Sequence, residues 1–284
     1  RSDSYAALLA SFEASSLWVR SLQLVKHMQR RSVSPDKFVI ATAVAACEKA
    51  RRWEEALGLL AEALAQTIVP DQILYSSAIS ACEKGKAWKS ALALYHEMRD
   101  GGLQIDVITC AAMLSACEKC LQWNWALTLL KEAACSQLAL DVTAYSAAIS
   151  ACAAAVQWKW AVRLSSEMAA AGVRPDTCAF NAVASSCEAA GHWQGALQAV
   201  VAMQIGNQRP NVLTFGVALR ACVQGVLWEQ ALHFLAGARQ GAIDLDSIAF
   251  ATAATACQTG GNLGKVPELL KALADSGSMS LARR

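Results

Sequence analysis

The sequence predicts an all-α fold, an α-solenoid (superhelix) of about eight 35-residue helix–turn–helix repeats. Three observations carry this. Cysteine recurs at Cys47, Cys82, Cys117, Cys152, Cys187, Cys222 and Cys257, each 35 residues after the last. Tryptophan keeps the same step at Trp18, Trp53, Trp88, Trp123, Trp158, Trp193 and Trp228, and so does an acid or amide at Asp36, Asp71, Asp106, Asp141, Asp176, Asn211 and Asp246. Self-similarity at a fixed period of about 20 to 50 residues marks stacked repeats, each too small to bury its own apolar faces. The frame defines a single array over residues 2–281, with units 2–36, 37–71, 72–106, 107–141, 142–176, 177–211, 212–246 and 247–281.

Within a unit the elements follow in order. In 72–106, Tyr75, Ala78, Ile79 and Cys82 fall at i, i+3, i+4 and i+7, one apolar helical face, and Tyr145, Ala148, Ile149 and Cys152 repeat it. This is helix A. Gly85, Gly191, Gly225 and Gly260 then mark a tight turn. Trp88, Ala91, Leu92, Tyr95 and Met98 line one face of the following helix B. Closures such as Gly172 before Pro175-Asp176, or Val69-Pro70-Asp71, stop helix B and place an acid where it can cap the next helix A. The terminal units depart from the pattern: Phe12 replaces the cysteine, Leu263 the tryptophan and Leu281 the closing acid, and Pro267 falls early in the last helix B. Outer faces that meet water account for such divergence.

Composition narrows the class. The 55% hydrophobic content is largely alanine, and no leucine-type span reaches the roughly 20 residues a membrane helix needs. The chain begins at Arg1, in frame and without methionine, as expected of a piece of something longer. Formal net charge is +2, from 25 basic and 23 acidic residues, so any nucleic-acid grip must come from a local stripe rather than from overall charge. Of the eleven cysteines, the seven in register sit about one repeat apart, too far for disulfides, and read as small buried residues between helices. Cys117 and Cys120 form a lone C-x-x-C without a second pair, a weak metal signal.

The run Ile79-Ser80-Ala81-Cys82-Glu83-Lys84-Gly85, the helix B stretch from Ala91-Leu92 to Glu97-Met98 and closures of the Pro175-Asp176 type resemble the pentatricopeptide repeat, and the likeness covers nearly the whole chain. That resemblance implies binding of single-stranded RNA at one base per repeat, usually in mitochondria or plastids. It also implies that the fifth and last residues of a unit together read one base. Ser76 with Asp106 and Ser146 with Asp176 look like guanine readers, and Asn181 with Asn211 looks like a pyrimidine reader, cytosine before uracil. Ala41 with Asp71, Ala111 with Asp141 and Gly216 with Asp246 offer only the acid, as does Ala6 with Asp36 in the first unit, and specify weakly, while Ala251 stands in the unit that closes on Leu281. The implied site is x-x-G-x-G-Y-x-x, 5′ end at the N-terminal unit. The second residues Phe38, Ile73, Ile108, Leu213 and Ile248 would wedge between bases, whereas Asp3, Thr143 and Cys178 depart from that pattern.

On the same stripe stand Lys49, Lys84 and Lys119, a ladder of ammonium groups suited to phosphates, with Glu48, Glu83 and Glu118 beside them as the competing solvated-charge reading. The tryptophans open helix B, away from this stripe, and are read as inter-repeat packing.

No catalytic or cofactor constellation accompanies the repeats. The four histidines, His27, His96, His192 and His233, are scattered, and acids one repeat apart cannot crowd the roughly 3.5–4 Å spacing of two-metal catalysis. The expected partners are single-stranded RNA and RNA-processing or editing proteins, with no membrane, no small-molecule substrate, no cofactor and no metal. A peptide-binding scaffold of tetratricopeptide type and the RNA-targeting part of a longer enzyme are the alternatives.

Overall fold

The computed structural model describes residues 18–262 apart from 32–34, 67, 137, 242, 244 and 246, and adds 264 and 267. Ala6, Asp3, Phe12, Asp246, Leu263 and Leu281 lie outside the described residues. The chain divides into two units, residues 1–151 and 152–284. The first holds α1 (Trp18–Arg30), α2 (Lys37–Lys49), α3 (Trp53–Ala65), α4 (Gln72–Lys84), α5 (Trp88–Asp100), α6 (Val107–Lys119) and α7 (Trp123–Cys135). The division falls within α8 (Val142–Ala154). The second unit continues with α9 (Trp158–Ala170), α10 (Thr177–Ala189), α11 (Trp193–Ile205), α12 (Val212–Gln224), α13 (Trp228–Gln240) and α14 (Ser247–Thr259). No strand occurs among the described residues.

Local chemistry sets each boundary at the 35-residue step. The even-numbered helices are the A helices, and α2, α4, α6, α8, α10 and α12 start on the closing acid or amide, whose side-chain oxygen accepts the N–H three residues on: for example Asp36 from Val39 at 2.9 Å, Asp71 from Leu74 at 2.9 Å, Asp141 from Ala144 at 2.9 Å and Asp176 from Ala179 at 2.8 Å. Such an N-cap stabilises by about 1 kcal/mol. The A helices end in a left-handed residue two positions past the helix, as at Arg51, Lys86, Leu121, Val156, Gly191, Val226 and Gly261. The next N–H then returns to the carbonyl of the periodic cysteine, for example Arg52 to Cys47 at 2.9 Å and His192 to Cys187 at 2.8 Å.

Of the turn glycines, Gly191 occupies the left-handed position, but Gly85, Gly225 and Gly260 precede it. There a Cβ would collide with Trp53, Trp193 and Trp228 respectively. Glycine at those sites leaves room for the ring of the preceding repeat, and these tryptophans are inter-repeat packing groups.

In the first unit α2 packs on α1, α3 and α4, and α4 on α3, α5 and α6; in the second, α12 packs on α10, α11, α13 and α14. The sequence-derived stripes lie in these contacts. Tyr75, Ala78, Ile79, Cys82, Ala91, Tyr95 and Met98 are buried, with Trp88 and Leu92 half-buried. The periodic cysteines are free thiols buried between helices. Burial pushes Cys47, Cys152, Cys187 and Cys222 up to about 11 and Cys82 and Cys117 up to about 12, which suppresses thiolate chemistry. No described helix is long and apolar enough to cross a membrane. Among the described residues no group of three or more His, Cys, Asp or Glu side chains is placed to hold a metal ion.

Candidate nucleic-acid interface

Among the A helices, α2, α4, α6, α12 and α14 expose an apolar side chain at their second residue, whereas α8 and α10 carry Thr143 and Cys178 there. Phe38, Ile73 and Ile108 in the first unit are 60%, 66% and 74% exposed, and Leu213 and Ile248 in the second are 53% and 69% exposed. One exposed apolar residue is ordinary, but recurrence at one register of successive helices is not explained by chance exposure. The fifth residue lies three positions on and shares that face. Ala41 and Ala111 are half-exposed there, Gly216 likewise, and Ser76 donates its Oγ hydrogen to the Ile73 carbonyl at 2.9 Å.

The closing residue serves the next helix first and any ligand second. Asp71 Oδ1 accepts the Leu74 N–H, and its Oδ2 accepts from Lys37 Nζ at 2.7 Å. Partial burial raises its carboxyl, but the bonds from Lys37 and the Leu74 N–H outweigh that and hold it below the usual aspartate range. Asp106 caps Thr109 through Oδ1 at 2.7 Å and receives Gln72 Nε2 on Oδ2 at 2.9 Å. Asp141 Oδ1 accepts Thr143 Oγ1 at 2.7 Å besides its cap. Lys37 and Gln72, each the first residue of its unit, were not singled out from the sequence, although their 34-residue spacing from the closing acid repeats.

The lysine ladder has partners. Lys84 Nζ reaches Glu48 Oε1 of the preceding repeat at 2.7 Å, and the same oxygen accepts Ser80 Oγ at 2.8 Å. One repeat on, Glu83 Oε1 receives Lys119 Nζ and, at 2.9 Å, Ser115 Oγ. Glu118 has Ser150 as its hydroxyl partner and is raised by burial and by the charge of Glu83, with Ser150 and Lys119 acting against this. In the second unit Arg220 Nε meets Glu188 Oε2 at 3.1 Å, and Gln224 Nε2 donates to the Glu188 carbonyl oxygen at 3.0 Å. Arg220 and Gln224 stand at the registers of Ser80 and Lys84.

Of the base-reading pairs inferred from the sequence, Asn181 and Asn211 are brought into direct contact, Asn181 Nδ2 donating to Asn211 Oδ1 at 3.2 Å. Asn181 and Ser146 are buried, whereas Ser76 and Asp176 are half-exposed.

The Pentatricopeptide repeat domain model matches residues 128–190 and 167–225, and the PPR repeat model matches 73–103. None of the curated proteins matches the chain in sequence. The pentatricopeptide repeat protein PPR10 from maize superposes with TM-score 0.63 at 20% identity, over 96% of this chain and 44% of that one. The same protein in complex with an 18-nucleotide psaJ RNA element gives 0.52 at 18% identity, over 98% and 44%. The PPR domain of Arabidopsis thaliana protein-only RNase P 1, in complex with tRNA, gives 0.57 at 15% identity, over 62% and 93%. At these identities the likeness is one of fold, and the chain spans under half of the maize protein's length. With its 35-residue hairpins, in which the A helices from α2 to α12 are each opened by the acid or amide that closes the unit before, and these model matches, the chain belongs to the pentatricopeptide repeat proteins and has their helical-repeat solenoid fold.

Proposed function

We propose that the chain binds single-stranded RNA sequence-selectively, one base per repeat, and acts by occupancy or recruitment in organellar RNA processing, stabilisation, editing or translation. The observation that carries the reading is the in-register row of exposed apolar residues, Phe38, Ile73 and Ile108 in one unit and Leu213 and Ile248 in the other, each two residues after a closing acid or amide in the sequence. Apolar side chains suit base faces, and short polar groups beside them suit base edges. On this reading Ser76 with Asp106 and Ser146 with Asp176 read guanine, Asn181 with Asn211 reads a pyrimidine, and Ala41/Asp71, Ala111/Asp141 and Gly216/Asp246 contribute little choice. Maize PPR10 and the Arabidopsis RNase P 1 domain, with RNA and tRNA in their structures, support the partner class. Mitochondrion or plastid as the site of action, and RNA-processing or editing proteins as further partners, extend the same proposal.

Phosphates would be held by Lys49, Lys84 and Lys119. Lys84 and Lys119 already face carboxylates, so phosphate binding there is an exchange of anions and not a gain of a new pair. That matched charge is what favours the second reading, a peptide-binding scaffold. The two are separated by fluorescence anisotropy with a random single-stranded RNA pool at near-physiological salt. An Ile73→Asp, Ile108→Asp double variant, altered only at exposed positions, is expected to bind RNA about tenfold more weakly with an unchanged melting temperature. Unchanged binding, or no binding by the parent, would remove the wedge row as the basis of the proposal.

A further inference from the structure

The Asn181–Asn211 contact is part of a closed hydrogen-bond ring whose third member comes from the following repeat. Asn211 N-caps α12: its Oδ1 accepts the Thr214 N–H at 3.0 Å, and its own N–H donates to Thr214 Oγ1 at 3.1 Å, a reciprocal capping box. Thr214 Oγ1 lies 2.7 Å from Asn181 Oδ1 and 3.0 Å from Asn211 Oδ1. A hydroxyl has one hydrogen. The shorter approach and the acceptors already satisfied on Asn211 assign it to Asn181 Oδ1. That turns Asn181 Nδ2 toward Asn211 Oδ1, at 3.2 Å.

Both acceptor positions of Asn211 Oδ1 are then filled, by the Thr214 N–H and by Asn181 Nδ2. Asn181 and Thr214 are buried, at 5% and 1% exposure, and Asn211 is exposed. What Asn211 has left to offer is its NH2 group, donors without an acceptor. Rotating Asn181 would set its oxygen against the Asn211 oxygen, and rotating Asn211 would set its NH2 against the Thr214 N–H. At the register of Thr214, Val39, Leu74, Ala144, Ala179 and Ala249 have no hydroxyl. Thr109 has one, buried without a hydrogen-bond partner, because the fifth residue opposite is the shorter Ser76, whose hydroxyl turns to Ile73.

We propose that Thr214 is a positioning residue for base choice: through Asn181 it holds the Asn211 amide with NH2 outward, so unit 177–211 selects a base edge by its acceptors. This rests on the RNA-binding reading. The adjacent N3 and O2 acceptors of cytosine meet such a donor group most fully. On the same Watson–Crick edge uracil offers carbonyls separated by its N3–H, and guanine offers O6 alone beside its N1–H and N2–H donors.

The test uses the full chain and eight-nucleotide RNAs of the form x-x-G-x-G-N-x-x that differ only in the sixth base. The parent is expected to prefer cytosine over guanine by about tenfold or more. Thr214→Val, which keeps the shape and removes the hydroxyl, should bring that preference within about twofold while leaving the salt dependence of binding unchanged, and Thr214→Ser should restore it. A merely structural role would lower affinity for all four RNAs alike. Should Thr214→Val not fold at the working temperature, Asn181→Leu cuts the same link and is expected to lose the same preference. Parent-like discrimination in Thr214→Val or Asn181→Leu, or a serine variant as indiscriminate as valine, overturns the role of Thr214 while leaving RNA binding intact. A parent that binds none of the four RNAs overturns the RNA reading and this inference together.

Discussion

Residues 1–151 and 152–284 join consecutive A helices with different chemistry. In the first unit the links are ionic: Glu48 holds Ser80 and Lys84, and Glu83 holds Ser115 and Lys119. In the second they are an Arg220–Glu188 pair and the neutral Asn181–Thr214–Asn211 ring. The difference teaches that residues suited to RNA are also the ones that stitch repeats, and that the stitching decides what is left for a ligand. Lysines committed to carboxylates offer a phosphate a competition, whereas an amide locked at one end offers a base a defined set of donors.

The largest effect that can break this comparison is at Glu83, whose side chain is 11% exposed. Glu83→Ala leaves Ser115 without its carboxylate while Lys119, 38% exposed, rehydrates, and is expected to cost about 1–2 kcal/mol in urea denaturation. Glu188→Ala in the second unit is expected to cost about 1 kcal/mol, because the side chain of Arg220 is 46% exposed and rehydrates. Equal losses would mean that the two kinds of link do the same mechanical work.

A smaller effect of opposite sign sharpens the contrast at the A–B turns. Val156 and Val226 hold φ of 57°, a left-handed conformation that β-branched residues avoid, while Gly191 occupies the same turn without strain. Val226→Gly is expected to raise stability by about 0.5–1 kcal/mol, the relieved strain exceeding the extra freedom of glycine in the unfolded chain. A lower melting temperature would contradict this.

The smallest effect is a pH slope in the first unit. Burial raises the Glu118 carboxyl in the folded state, so the folded chain holds its proton to higher pH than the unfolded chain. Stability from this group is therefore present at low pH and is lost as pH rises from the unfolded glutamate value through the raised folded one. Glu118→Gln keeps a partner for Ser150, should flatten that slope and should leave the acid-side stability unchanged. For Asp71 the sign reverses: its depressed carboxyl stabilises above the ordinary aspartate value, and Lys37→Met should weaken the chain there and not in acid.

The fold was legible because the repeat writes each boundary seven times. Cysteine, tryptophan and closing acid mark where A ends, B begins and the next A is capped, and the helices start where those residues predict. The candidate site was legible only by register. Periodicity places Ser76 and Lys84 each at one register of successive repeats, but a ladder of lysines in a sequence does not reveal that Lys84 and Lys119 each find a glutamate one repeat back. A serine at 80, 115 and 150 was the available signal, since three hydroxyls at one register beside three acids mark a shared partner. Thr214 left a fainter trace: a threonine three residues after an amide is an ordinary capping box, and only its depth beside Asn181 gives the hydroxyl a second task. The turn glycines misled in kind, since three of the four answer to a tryptophan ring and not to a left-handed backbone.

The central claim is that the repeats read single-stranded RNA in the assigned register. Selection from a random RNA library on the purified chain at near-physiological salt, with single-stranded DNA as control, tests it most directly. The account predicts enrichment of two guanines separated by one base and followed directly by a pyrimidine, with binding that falls as salt rises. Absence of any enriched sequence, together with no salt-dependent binding, would contradict it.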